Sequence, residues 1–138
     1  MDSLTFRPGN GRLVSSSSNP RWMLVFEDEG PAGYCYACDA QAGSGEDGIV
    51  DSMLVYNVSS LDGPARERLA SVQWSRSGQQ AVLYFDGVPQ ALLDFSTRRS
   101  FCRSNFPNFV EQPADTWRRH SHAWDEAAIT GFESDLYQ

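Results

Sequence analysis

The chain has 138 residues and a formal net charge of −7, from 11 basic and 18 acidic side chains, and every basic one is arginine. This length suits one domain, and a hydrophobic content of 41% is enough for a core, which excludes global disorder. The acidic balance argues against nucleic acid or an anionic membrane as a partner, and no apolar run reaches the roughly 20 residues of a spanning helix. We expect a soluble, cytoplasmic protein, because the first ten residues lack the apolar segment of a secretory signal.

The first half of the chain predicts strands joined by polar loops. Residues 1–20 are polar and rich in serine, and we interpret them as a loose arm with one short edge strand near Leu13-Val14. Residues 22–26 are an apolar run of strand length, and turn residues separate them from a second strand at 34–38. A third strand covers residues 53–58.

Alternation of apolar and polar residues is clearest after residue 70. Residues 70–74 and 81–85 predict two strands, and Asp86-Gly87 predicts a tight hairpin turn into a third strand at 88–95. Pro89 has no amide hydrogen to give to a sheet, which indicates an edge strand or a strand start. These three strands predict an antiparallel meander.

The C-terminal part of the chain predicts helix. Residues 96–103 predict a short helix or turn, and a helix covers about 122–136, with Ser121 as a plausible N-cap. Its apolar residues fall on one face, namely Trp124, Ala128, Ile129, Phe132 and Leu136. The predicted class is α+β, mostly β: an antiparallel meander sheet of five to seven strands closed by the C-terminal helix. It forms a single domain over 21–138, after the arm at 1–20.

Three cysteines raise the question of redox or zinc chemistry. If Cys35 and Cys38 lie on one strand, they point to opposite faces with Cα atoms about 10 Å apart, which is too far for a disulfide. A zinc site that adds Cys102 and a histidine is weakly indicated, because only one C-x-x-C pair is present. We expect the thiols to pack as small apolar groups.

The stretch around residue 120 is the most chemically varied part of the chain. His120, His122 and Asp125 suggest a metal site or a general base, and hence a small metal-dependent enzyme or metal-binding domain as an alternative function. A second ligand cluster such as H-E-x-x-H is absent from the sequence, and a hydrogen-bonded helix entry is the simpler interpretation. We therefore assign no catalytic residue, metal ligand or cofactor.

Two acidic stretches are the best candidates for partner binding. The carboxylates concerned are Glu27, Asp28, Glu29, Glu46, Asp47 and Asp51. They would attract and pair with a basic protein. A further alternative is a small ligand held in a pocket between the sheet and the closing helix.

Several motifs occur in an order that resembles a known family. They are Val25-Phe26-Glu27-Asp28-Glu29-Gly30, Gly33-Tyr34-Cys35-Tyr36-Ala37, Asp51-Ser52-Met53-Leu54-Val55-Tyr56, Trp74-Ser75, Phe106-Pro107 and His122-Ala123-Trp124-Asp125. From about Thr5 onward the chain resembles an uncharacterised family of small acidic bacterial single-domain proteins, a domain of unknown function. The resemblance supplies no catalytic residues. By analogy of size and acidity, we expect a non-enzymatic immunity protein that occludes a cognate toxin.

Overall fold

The computed structural model describes residues 1–42, 48–63, 65–108, 117 and 121–136. These residues form nine antiparallel strands in two sheets, a 3-10 turn at Val58–Ser60 and one α-helix. The strands are β1 (Asp2–Phe6), β2 (Gly11–Ser16), β3 (Trp22–Asp28), β4 (Ala32–Asp39), β5 (Ile49–Asn57), β6 (Arg68–Trp74), β7 (Gln80–Phe85), β8 (Val88–Asp94) and β9 (Arg99–Cys102). The helix α1 spans Glu126–Leu136.

The strands divide between a five-stranded sheet and a four-stranded sheet. The first has the order β1-β6-β7-β8-β9, and the second is the meander β2-β3-β4-β5. The mostly β class and the single α-helix are confirmed, but the prediction of one meander of five to seven strands is wrong. Its error has a physical cause, because alternation identifies strands without saying which of them pair. The chain passes from one sheet to the other after β1, where Arg7 and Asn10 form an isolated bridge, and it returns between β5 and β6.

The inner faces of the two sheets share one hydrophobic core. Leu24 and Phe26 enter it from the four-stranded sheet, and Leu83 and Leu93 enter it from the five-stranded sheet. Each of these four side chains is fully buried. Burial of such side chains contributes about 1.5–3 kcal/mol each, so this shared core holds the two sheets together.

Helix α1 packs on the outer face of the five-stranded sheet. Ile129 and Phe132 contact Val82 and Leu92 in a second, smaller cluster. The helix begins at Glu126 because the carboxylate of Asp125 caps it, accepting a hydrogen bond from Ala128 N at 3.1 Å. The predicted helix is therefore confirmed, but its start near residue 122 and its Ser121 cap are wrong.

The hairpin turn between β7 and β8 has the geometry that its sequence predicts. Asp86 and Gly87 both have positive φ, at 50° and 80°, as a two-residue type I′ turn requires. Pro89 is the second residue of β8, opposite an irregularity at Leu83/Tyr84, and β9 pairs with β8 only from Ala91 onward. The predicted strand start at Pro89 is confirmed.

Two segments differ from their predicted structure. Residues 1–20, expected to be a loose arm, contain β1 and β2, and β2 includes the expected strand at Leu13-Val14. Residues 96–103, expected to be helix or turn, contain β9. The missed strands β1 and β9 are short edge strands that contain polar residues (Asp2, Ser3 and Thr5 in β1, Arg99 and Ser100 in β9), so their sequences lack a continuous apolar signal.

Candidate functional site

Asp51, Ser100 and His122 form a buried polar network between β5, β9 and the segment before α1. His122 Nε2 lies 2.9 Å from Asp51 Oδ1 and 3.0 Å from Oδ2, and Ser100 Oγ donates to Asp51 Oδ2 at 2.5 Å. His122 Nδ1 donates to the carbonyl oxygen of Pro107 at 2.5 Å. The carboxylate and the imidazole share the proton between them, so the pair is net neutral wherever that proton lies.

This network has the residue types of a hydrolase triad but a different order. Ser100 bonds to the carboxylate of Asp51, whereas a serine nucleophile needs the imidazole as its base. Asp51 is 3% exposed and the other two residues are 0% exposed, so none of the three side chains is open to solvent. The network links β5 of the four-stranded sheet to β9 of the five-stranded sheet, and the line along which these two edge strands meet is here called the seam. Backbone hydrogen bonds from Cys102 N to His122 O and from Leu54 N to Phe106 O, both 2.9 Å, reinforce it.

The cysteines near this seam are packed as apolar groups. All three are free thiols and are buried. Burial raises the pKa of the Cys35 thiol well above its usual value, and the neighbouring Cys102 and Asp51 raise it further. The raised pKa makes Cys35 a poor nucleophile. All three thiols are buried, and Cys35 and Cys102 belong to the shared core, which agrees with the expected packing role.

His122 and Asp125, two of the three residues predicted as a metal or acid–base site, have different structural roles. His122 bonds to Asp51 and Pro107, whereas Asp125 caps α1. His120 lies outside the described residues. Within the described ranges, no three His, Cys, Asp or Glu side chains are grouped so that they could hold a metal ion.

Two of the six predicted partner-binding carboxylates are buried. Asp51 belongs to the seam network, and Asp28 is 7% exposed. Asp28 accepts hydrogen bonds from Gly9 N at 2.7 Å, from Gly30 N at 2.8 Å and from the hydroxyl of Tyr56. Their prediction as surface contacts is wrong, because both carboxylates satisfy internal donors. Glu46 and Asp47 lie outside the described residues.

The two remaining carboxylates, Glu27 and Glu29, lie beside two tyrosines. Glu27 pairs with Arg12 at 3.1 Å, and Glu29 accepts a hydrogen bond from the Tyr36 hydroxyl at 3.1 Å. Burial, followed by the Glu29 hydrogen bond, raises the pKa of Tyr36. Tyr34 stacks on Tyr36 with ring centroids 6.1 Å apart.

These residues belong to the outer face of the four-stranded sheet, here called the tyrosine face. The strand register places two rows of side chains on it, Arg12/Glu27/Tyr34/Leu54 and Val14/Val25/Tyr36/Ser52. Val14 is 41% exposed, whereas the helix α1 covers the opposite sheet. Sequence analysis found the carboxylates but missed the tyrosines, although their i, i+2 spacing on a predicted strand already placed them on one face.

A groove beside α1 corresponds to the predicted pocket between sheet and helix. It has a volume of about 350 Å³ and runs between β6 and the last turn of the helix. Leu69, Ser71, Gln73 and Tyr84 form its sheet side, and Leu136 belongs to its helix side. The groove combines apolar surface with hydrogen-bonding groups, which is the usual character of a small-molecule site.

The fold and the site define a small β-rich domain with a sealed polar seam and an aromatic outer face. A family model described as an uncharacterized protein conserved in bacteria (DUF2251) matches residues 6–133, which include β2–β9 and most of α1. The chain belongs to this family, as its motifs indicated. In the described part of the chain, no helix has both the length and the apolar character needed to cross a membrane.

One curated relative and the solved structures complete the comparison. A protein of Haemophilus influenzae, described only as uncharacterized, is 34% identical to this chain over 86 residues. That alignment covers 62% of this chain and 52% of the relative, so the chain spans about half the length of the relative that it matches. No solved structure matches the chain.

Proposed function

We propose that this chain is a non-enzymatic protein-binding domain whose basic partner docks on the tyrosine face. The observation that carries the proposal is the pairing of Tyr34 and Tyr36 with the carboxylates of Glu27 and Glu29 on one sheet face. Tyrosine is over-represented among the residues that dominate binding energy at protein interfaces. The sealed His–Asp–Ser network supports a binding role over a catalytic one, since none of its three side chains is open to solvent.

Electrostatics determine the expected partner chemistry. The chain has a net charge of −7, and Glu29 is an exposed carboxylate at the end of the tyrosine face. A partner with a basic contact surface would associate faster and in a fixed orientation. A toxin whose active site is occluded by this face is the specific partner that we propose, so the domain would act as an immunity protein.

The direct test is co-expression with the product of the neighbouring gene, followed by size-exclusion chromatography and a growth assay. We expect a stable complex and rescue of growth. Tyr34→Ala should weaken the complex by about 2 kcal/mol, roughly 30-fold in Kd, as for a hot-spot residue. Glu29→Arg should slow association and reduce its dependence on salt.

Matched controls separate this face from the rest of the surface. Tyr84 is a tyrosine of similar burial on the other sheet, and Asp135 is an exposed carboxylate on α1, which packs on that other sheet. Tyr84→Ala and Asp135→Arg should leave the affinity within a factor of about three. Absence of both complex and rescue would refute the toxin proposal, and equal losses in the control variants would refute the assigned face.

The groove beside α1 supports a second candidate function, small-ligand binding. Leu69 is 44% exposed and, with Leu136, supplies apolar surface that a ligand in the groove would cover. A ligand at 100 times its Kd would stabilise the native state by about 2.7 kcal/mol, which thermal denaturation against a metabolite panel detects. Leu69→Glu should abolish a shift caused at this site, and an unchanged shift would place the ligand elsewhere.

A further inference from the structure

Arg68, at the start of β6, is a buried cation with an unusual set of partners. It is 7% exposed, and its guanidinium donates to two backbone carbonyls, Arg66 O and Asp62 O, both at 2.8 Å. Among the described residues, no carboxylate lies within 4.0 Å of it. Buried arginines are normally paired with a carboxylate, because two carbonyl dipoles do not neutralise a full charge. The other arginines with described ion pairs show the contrast, namely Arg7, Arg12, Arg21 and Arg66.

Arg68 lines a cleft of about 410 Å³ at the Asp86-Gly87 hairpin. Arg66, Phe85, Val88 and Gln90 also line this cleft. Val88 is 49% exposed, and together with the ring of Phe85 it supplies apolar surface. The cleft therefore combines a buried positive charge with an apolar wall and a side-chain amide.

The acidic residues of the cleft do not form an ion pair with Arg68 among the described residues. Asp86 is already occupied, because its carboxylate accepts from Leu69 N at 2.9 Å and pairs with Arg66 at 3.0 Å. These two hydrogen bonds are the main reason that the pKa of Asp86 is lowered, and the nearby charges of Arg66 and Arg68 lower it further. Asp62 is exposed, so water and salt screen its carboxylate far more than they screen the buried guanidinium.

We propose that this cleft binds a small organic acid through Arg68, with the carboxylate on the guanidinium and the apolar body against Phe85 and Val88. Arginine has five N–H donors, and the two carbonyl contacts leave three for a ligand. The planar fork of the guanidinium matches a carboxylate. A monoanion fits better than a phosphate dianion, which Asp62 and Asp86 would repel more strongly.

Benzoate is the probe that tests this proposal, with benzamide as its uncharged counterpart of the same shape. Titration of the isotopically labelled full chain by NMR should give saturable shifts at the amides of Leu69, Val88 and Gln90 with benzoate. Benzamide should bind at least tenfold more weakly. Acetate should bind more weakly than benzoate, because it lacks the apolar body.

Three variants, one at Arg68 and a pair at Val88, keep the test interpretable. Arg68→Lys should reduce benzoate affinity at least tenfold, because the lysine keeps the charge but loses the fork. Arg68 also donates to the loop carbonyls, so its replacement could disturb the loop. The two Val88 variants change only the exposed edge of the cleft, and Val88→Glu should reduce benzoate affinity at least fivefold relative to Val88→Gln. The proposal is refuted if benzoate and benzamide give the same shifts, if the shifts lie elsewhere, or if the two Val88 variants bind benzoate equally.

Discussion

The seam network of Asp51, Ser100 and His122 predicts strong energetic coupling between residues 71 positions apart. Asp51→Ala and His122→Ala each remove one member of a buried, net neutral pair. The partner left behind must then stay charged without a counterion or change its protonation state. We expect each single variant to lose about 3–5 kcal/mol of unfolding free energy.

The size of the coupling follows from the burial of the pair. Asp51 and His122 are 3% and 0% exposed, so solvent does not replace the missing partner. The double variant has no orphaned charge, and its loss should be smaller than the sum of the single losses by about 2–3 kcal/mol. Ser100→Ala removes the buried hydrogen bond from Ser100 Oγ to Asp51 and should cost about 1–3 kcal/mol, which keeps the network measurable if a single variant is too unstable.

Urea unfolding monitored by far-UV circular dichroism and tryptophan fluorescence measures these values, and coincident transitions establish two-state behaviour. The exposed pair Arg12 and Glu27, at 3.1 Å, is the matched control. Its alanine cycle should give a coupling below about 1 kcal/mol. Additive losses within about 0.5 kcal/mol at Asp51 and His122 would refute the argument that the pair is held by mutual neutralisation.

Two further predictions concern single positions in the fold. Gly33→Ala should destabilise the protein by about 1–3 kcal/mol, because the added Cβ would lie 2.5 Å from Cζ of Tyr56. Gly131→Ala should stabilise α1 by up to about 1 kcal/mol, because no atom lies within 4 Å of the added Cβ. Equal effects of the two variants in thermal melts would contradict this contrast. Arg21→Gln should cost about 1 kcal/mol at pH 7, because Arg21 donates to both oxygens of Asp39 at 2.8 and 2.9 Å and lowers the pKa of that carboxyl. A lowered folded-state pKa stabilises the protein above the unfolded value near 3.8, so the difference from the wild type should shrink as the pH falls below that value. A difference in urea midpoints that stays constant from pH 7 to pH 3 would contradict the assignment.

Local patterns were sufficient to predict the central strands and their tightest turn. The alternation in residues 70–85 reflects a sheet with one face on the core, and the Asp86-Gly87 pair reflects the positive φ that a type I′ turn demands. The same reasoning could not divide the strands between two sheets, because β1 pairs with β6 across more than sixty residues. Such a pairing leaves no mark in either strand alone.

The candidate site also depends on contacts between residues that are far apart in the sequence, which local patterns do not predict. His122 was recognised as chemically unusual, and Asp51 as acidic, but the sequence gives no sign that they meet. Charge alone suggested that Asp28 and Asp51 were exposed. Each side chain instead points inward and accepts hydrogen bonds from buried donors. The position of each aspartate on its strand was therefore a better guide to its burial than its charge.

Two of the buried aspartates, Asp28 and Asp51, hold the sheets together at opposite corners. Asp28 binds the amide of Gly9 in the turn from β1 to β2, and Asp51 joins β5 to β9 through Ser100. At the first corner the chain passes from β1 in one sheet to β2 in the other, and at the second the edge strands β5 and β9 belong to different sheets, so at both places a side-chain acceptor satisfies donors that no backbone ladder reaches. Variants of these aspartates would therefore reduce partner binding by loosening the fold. Variants of Glu29 and Tyr34, on the outer face, would do so by altering contact, and comparing stability with affinity in the same variants separates the two causes.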